Sequence, residues 1–230
     1  VLDPEFASFV GPYPVPMRHG MTTGELARLV DAERGLEADL HVVPAYGWSR
    51  GSWADETGIP WIATSPNMPT LESAIHYPGT CLFEGTNVSV GRGTDRPFQQ
   101  LGAPWLDSEA LVQALTRHDL PGVRFESVRF TPVEPDDGKY GGIEVQGVRL
   151  HVTDRETYDP TATAVALLSE MRRQSGQHWA WRESTFDRLA GTDRLRHAIE
   201  ADEPVELIVS HREGRLAEFR QLRTGYLIYE

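Results

Sequence analysis

Val123-Arg124-Phe125-Glu126-Ser127-Val128-Arg129-Phe130 and Ile143-Glu144-Val145-Gln146-Gly147-Val148-Arg149-Leu150-His151-Val152 are the stretches that decide the fold. Apolar residues stand at 123, 125, 128 and 130, and again at 143, 145, 148, 150 and 152, close to the alternation of half-buried strands. Between them Pro135-Asp136-Asp137-Gly138-Lys139-Tyr140-Gly141-Gly142 supplies the turn residues of a hairpin-like connection. On the N-terminal side, Asp107 is placed to cap a helix carrying Leu111, Val112 and Leu115. On the C-terminal side, Asp159-Pro160 is a cap followed by proline at the first helical position, and Val165, Leu168 and Met171 keep a helical stripe. Thr192 is expected to cap Leu195 and Ile199, and Leu216, Phe219, Leu222 and Tyr226 form a last apolar face.

Further outward, the first third reads as α/β. Thr22-Thr23-Gly24-Glu25 is a capping-box pattern, Leu26, Leu29 and Val30 recur at helical spacing, and Gly35 supplies a left-handed stop. Leu40-His41-Val42-Val43 and Trp61-Ile62-Ala63 read as short buried strands, so that helix and strands form a parallel crossover unit. Thr70 is expected to cap a short helix through Leu71 and Ile75 that Pro78-Gly79 ends, and Asn87-Val88-Ser89-Val90 alternates polar and apolar as a half-buried strand does. The character changes at Thr80, where a domain boundary is placed: residues 1–79 and residues 80–230.

The 230 residues carry 22 Lys and Arg against 34 Asp and Glu, a net charge of −12, which disfavours a phosphate-backbone ligand. A single cysteine, Cys81, excludes an internal disulfide framework and a multi-cysteine zinc site. The eight histidines show no ligand spacing, so no metal or other cofactor is expected. No apolar run approaches the roughly 18 residues of a membrane span, and the first residues lack the pattern of a signal peptide. Neither a P-loop, a G-x-G-x-x-G turn nor a G-x-S-x-G elbow is present.

The densest chemical candidate is Phe83-Glu84-Gly85-Thr86-Asn87-Val88-Ser89-Val90-Gly91-Arg92-Gly93-Thr94. Glycines on both sides of Arg92 let the backbone bend sharply and project a guanidinium whose planar fork suits a carboxylate or phosphate. Glu84, once desolvated, is a candidate acid or base, and Asn87 could orient a hydroxyl or acetamido group. The same residues are also compatible with a capped turn holding a salt-bridged arginine. Asn67, between Pro66 and Pro69 at the end of an expected strand, is either a rigid hydrogen-bonding anchor in a crevice or part of a stiff connecting loop. His19, before the first helix, could face the same crevice. Cys81 reads as a small buried hydrophobe, and Trp179-Ala180-Trp181 as core packing or a sugar platform.

Ser65-Pro66-Asn67-Met68-Pro69-Thr70-Leu71-Glu72-Ser73-Ala74, Tyr77 through Asn87, and Ser89-Val90-Gly91-Arg92-Gly93-Thr94 resemble the NamZ-type exo-β-N-acetylmuramidases, glycoside hydrolase family 171. The likeness continues through His151-Val152-Thr153-Asp154 and Phe186 to Asp193. It implies the end of a Rossmann-like N-terminal domain followed by a smaller α/β domain of mixed sheet and helices, with a cleft between. It also implies release of terminal N-acetylmuramic acid from the non-reducing end of peptidoglycan-derived glycans, outside the cytoplasm. Family proteins are longer at the N-terminus, so this chain is expected to begin after roughly the first 150 residues. The family's catalytic acid is expected in that stretch, and no position here inherits it. On the resemblance, Arg92 would bind the lactyl carboxylate of muramic acid, and Asn67, Thr86, Asn87 and His19 would contact the sugar. Glu84 would be a second acidic group, since glycosidases generally use two. A non-catalytic glycan- or muropeptide-binding module is the alternative.

Overall fold

The computed structural model describes residues 1–9 and 11–230. Along the chain, helix α1 (Thr23–Arg34) is followed by α2 (Leu71–Thr80) and a 3₁₀ turn, Cys81–Gly85. Strand β1 (Gln100–Ala103), helix α3 (Ser108–Thr116) and strands β2 (Val123–Phe130) and β3 (Val145–Val152) come next. Helices α4 (Pro160–Ser175), α5 (Glu183–Ala190), α6 (Arg194–Glu200), α7 (Val205–Ser210) and α8 (Glu213–Arg223) follow. Backbone packing divides these elements into two units, one of Val1–Trp61 with His211–Glu230 and one of Ile62–Ser210.

The second unit carries the α/β character. The expected hairpin forms: β2 and β3 pair antiparallel, with Phe125 opposite Leu150 and Glu126 opposite Arg149. Strand β1 adds to the other edge of β3, giving the order β1-β3-β2, antiparallel throughout. Helix α4 is the core element, with Ala164, Ala166, Leu167, Leu168 and Met171 fully enclosed. Its start is fixed as the sequence indicates, because Asp159 Oδ1 accepts from the Thr161 and Ala162 amides and Pro160 opens the helix. Asp107 caps α3 in the same way. Helix α2 packs against α4 and runs on through Pro78-Gly79 to Thr80, past the expected stop. Pro78 lies within the last turn and removes one rung of the ladder, the bond its amide would donate to the Ala74 carbonyl. At Gly79 a Cβ would lie 1.9 Å from the Pro160 carbonyl oxygen, so a larger residue would push α4 away.

In the first unit Thr22 and Glu25 form the reciprocal capping box, and Gly35 closes α1 at φ 58°. Leu29, Met21 and Phe219 make its core, with Tyr13, Leu26 and Tyr226 packed around them. The strands expected at residues 40–43 and 61–63 do not form: Val43 is 88% and Ile62 76% exposed, and neither stretch has regular structure. A strand persists only where a neighbour accepts and donates its backbone hydrogen bonds; no strand lies among the described residues of the first unit, which holds 40–43, and Ile62 and Ala63, at the start of the second unit, join no strand of its sheet. The crossover unit is therefore absent there. The strand expected at residues 87–90 is reduced to a single bridge between Ser89 and Gly102.

Candidate functional site

Within the second unit, the turn around Arg92 gathers three of the side chains singled out in the sequence. Gly91 and Gly93 both adopt φ 76°, and a Cβ at Gly93 would sit 2.6 Å from the Val133 carbonyl oxygen. Glycine is thus required on conformational and steric grounds, and Arg92 projects from the bend between them. Its Nε donates to Glu84 Oε1 at 3.0 Å, and Nη2 donates to the same oxygen. Its Nη1 donates to both oxygens of Asp136, at 3.1 and 3.0 Å. The guanidinium also lies over the buried ring of Phe98, 5.3 Å from the centroid. Asn67 approaches from the two-proline loop and donates Nδ2 to Asp136 Oδ2 at 2.8 Å. Asn67, Arg92 and Glu84 are therefore joined through one acidic residue, Asp136, that the sequence reading took only as turn chemistry.

Lys139, from the same loop as Asp136, was also missed. It is 5% exposed and donates Nζ to the Phe83 and Val88 carbonyls at 3.0 and 2.9 Å, which ties together the ends of the loop carrying Glu84. Burial pushes its pKa down to about 8, against the favourable charges of Asp137 and Glu84. Tyr140 closes the same region by donating its hydroxyl to the Asn87 carbonyl. The connection 132–142 is held over the arginine turn by the Val133 amide, which donates to the Gly93 carbonyl at 2.8 Å.

The other expected site residues lie elsewhere. Thr86 is fully buried; its hydroxyl donates to the Phe83 carbonyl and accepts from the Val88 amide, so it shapes the turn and offers no surface to a ligand. Asn87 donates to the His178 carbonyl and accepts from the Ala180 amide, which fastens the loop to the segment before α5. His19 belongs to the first unit, where Nδ1 accepts from the Met21 amide and burial, then Arg223, lowers its pKa. Cys81 is buried, and its thiol is pushed up to about 12 by burial and the charge of Glu84, which disfavours the thiolate. Trp181 packs against the buried Phe186 ring at 4.6 Å and Trp179 edge-on against Trp181, and both indoles stay half-buried. No cluster of three His, Cys, Asp or Glu suited to a metal occurs among the described residues.

A concavity of about 550 Å³ has Thr70, Arg96, Gln99, Arg149, His151 and Asp154 among its lining residues. Arg149 donates to Gln100, and His151 Nε2 is 2.5 Å from Glu126, so both lining side chains belong to a cross-strand network.

Comparison with known proteins gives a consistent answer. A family model described as the C-terminal domain of the exo-beta-N-acetylmuramidase NamZ matches residues 75–229, and the N-terminal counterpart matches residues 1–72. The peptidoglycan beta-N-acetylmuramidase NamZ of Bacillus subtilis (strain 168) is 42% identical over all 230 residues. The match covers 100% of this chain and 55% of that protein, so the chain spans about half the length of this curated relative. Two crystal structures of DUF1343 family proteins from Bacteroides fragilis NCTC 9343 superpose over the whole chain. One does so with a TM-score of 0.92 at 28% identity, the other with 0.78 at 29%, covering 62% and 61% of those chains.

Proposed function

This chain belongs to the NamZ family of exo-β-N-acetylmuramidases, and from that premise we propose that it is part of a glycoside hydrolase. The proposed reaction releases terminal N-acetylmuramic acid from the non-reducing end of peptidoglycan-derived glycans. We place the two family domains at residues 1–79 and 80–230. The observation that carries the reading is the convergence of Arg92 and Asn67 on one carboxylate, that of Asp136. N-acetylmuramic acid differs from N-acetylglucosamine by a lactyl ether bearing a carboxylate, and a guanidinium with an adjacent amide donor suits that group. Glu84, held by Arg92, is the proposed acidic group of this chain. Thr86 and Asn87 support the loop that presents it, and His19 stays a proposed substrate contact on its place just before the first helix alone.

The engagement of Glu84 with Arg92 favours a second reading, in which these 230 residues bind muramyl glycans without cleaving them. Incubation with a chromogenic β-N-acetylmuramide separates the two. Release of the chromophore supports the hydrolase; saturable binding of a muramic-terminated glycan with no release supports the binding module.

A further inference from the structure

The ion pair between Arg92 and Asp136 is unequal in its two halves. Arg92 is held on several sides: glycines fix its backbone, Glu84 takes Nε and Nη2, and Phe98 lies beneath the guanidinium. Asn67 is confined between Pro66 and Pro69. The Asp136 side chain, in contrast, is 60% exposed and stands in the turn closed by the Gly138 amide on the Pro135 carbonyl. Its carboxylate takes the donors left over, Arg92 Nη1 and Asn67 Nδ2, and both converge on Oδ2. A rigid pair of donors is thus filled by a loosely anchored acid.

We infer that Asp136 occupies the site of a ligand carboxylate and that an anionic sugar binds by displacing it. The inference rests on the proposed function, which supplies the carboxylate-bearing ligand, and adds that the chain's own acid competes with it. Displacement is inexpensive because Asp136 turns into water, where an exposed ion pair is replaced at little cost. It is also selective. A neutral sugar offers nothing to take the place of the lost charge on Arg92 Nη1, so Asp136 stays and the neutral sugar binds without using these donors. A carboxylate replaces it in kind.

The test is calorimetric titration of the chain with N-acetylmuramic acid and with N-acetylglucosamine, in the wild type and in Asp136→Ala, Asp136→Asn and Arg92→Ala. Removing the competitor is expected to tighten muramic acid binding roughly two- to five-fold, the factor an exposed ion pair represents. Asp136→Asn should give a smaller gain, and N-acetylglucosamine binding should not change. Unchanged or weaker muramic acid binding in both Asp136 variants, with Arg92 still required, overturns the displacement and leaves the functional reading standing. Muramic acid binding that survives Arg92→Ala overturns the functional reading at this residue. Absence of muramic acid binding in every protein overturns both.

Discussion

Glu84 accepts both the Nε and the Nη2 groups of Arg92 through a single oxygen, Oε1. Both side chains are about four-fifths withdrawn from water, with exposures of 22% and 19%, so the pair is less screened than one at the open surface. A double-mutant cycle of Glu84→Gln and Arg92→Ala should return a coupling of about 1–2 kcal/mol in urea unfolding. A coupling near zero would show the pair to be an incidental contact. Where the chain turns over a chromogenic muramide, Glu84→Gln should also lower kcat by about a hundred-fold, the lower range for a group that transfers a proton. Full activity in that variant would remove Glu84 from the chemistry.

Gly93→Ala probes the bend that presents Arg92. The new Cβ would meet the Val133 carbonyl oxygen at 2.6 Å in a backbone at φ 76°, so both conformation and space oppose it. A loss of about 1–3 kcal/mol in unfolding free energy is expected, together with loss of Arg92-dependent binding. The neighbouring control is Gly138→Ala: φ is 70° there, but no atom lies within 4 Å of the new Cβ, so its cost should be smaller. Equal costs at the two positions would contradict the steric part of the argument.

The elements legible from sequence are those whose causes are local or periodic. Asp107, Asp159 and Thr22 cap helices because a cap needs only the next three amides. The hairpin β2–β3 was legible because apolar residues recur at every second position, Val123 and Phe125 and then Val128 and Phe130, although the phase changes within each strand and burial passes from one face to the other. Residues 40–43 and 61–63 have strand-like composition, but a strand is decided by its neighbour, which local sequence does not reveal. The same limit applies to the site. Gly91-Arg92-Gly93 announced a projecting cation, whereas its partner Asp136 lies 44 residues away and was visible only as a turn residue. Lys139, 56 residues from Phe83, looked like an ordinary loop lysine until its ammonium was seen buried on two carbonyls.

His76 should make the second unit sensitive to mild acid. It is 1% exposed on α2, with Nδ1 2.8 Å from the Tyr158 hydroxyl. Burial, with the nearby His151 charge second, lowers its pKa to about 4 from 6.5. Between these values the unfolded chain binds a proton that the folded chain refuses, so stability falls as pH drops from 6.5 to 4. The contribution is up to roughly 3 kcal/mol across that window. Urea midpoints at pH 7 and pH 4.5 should differ less in His76→Gln than in the wild type. Parallel pH dependence in the two proteins would exclude His76 as the source.

Glu25 gives the first unit a separate and more acidic threshold. Its fully buried carboxylate accepts from Arg50 Nη2 at 2.6 Å, from the Ile228 and Tyr229 amides at 2.7 and 3.3 Å, and from the Thr22 amide at 2.8 Å. Burial alone would raise the pKa, but Arg50 and these amides outweigh it and hold the group at about 2 against 4.5. The folded state therefore gains stability that is fully present above pH 4.5 and lost as pH falls toward 2. In Glu25→Gln the deficit should be roughly 3 kcal/mol at pH 7 and should shrink to near zero at pH 2. Amide hydrogen exchange can localise the effect, because the Ile228 and Tyr229 amides donate to this carboxylate. They should exchange faster in Glu25→Gln at pH 7, while Leu150, whose amide donates to the Gln99 carbonyl in the second unit, keeps its protection. Equal acceleration at Leu150 would show that Glu25 stabilises the whole chain and not the first unit alone.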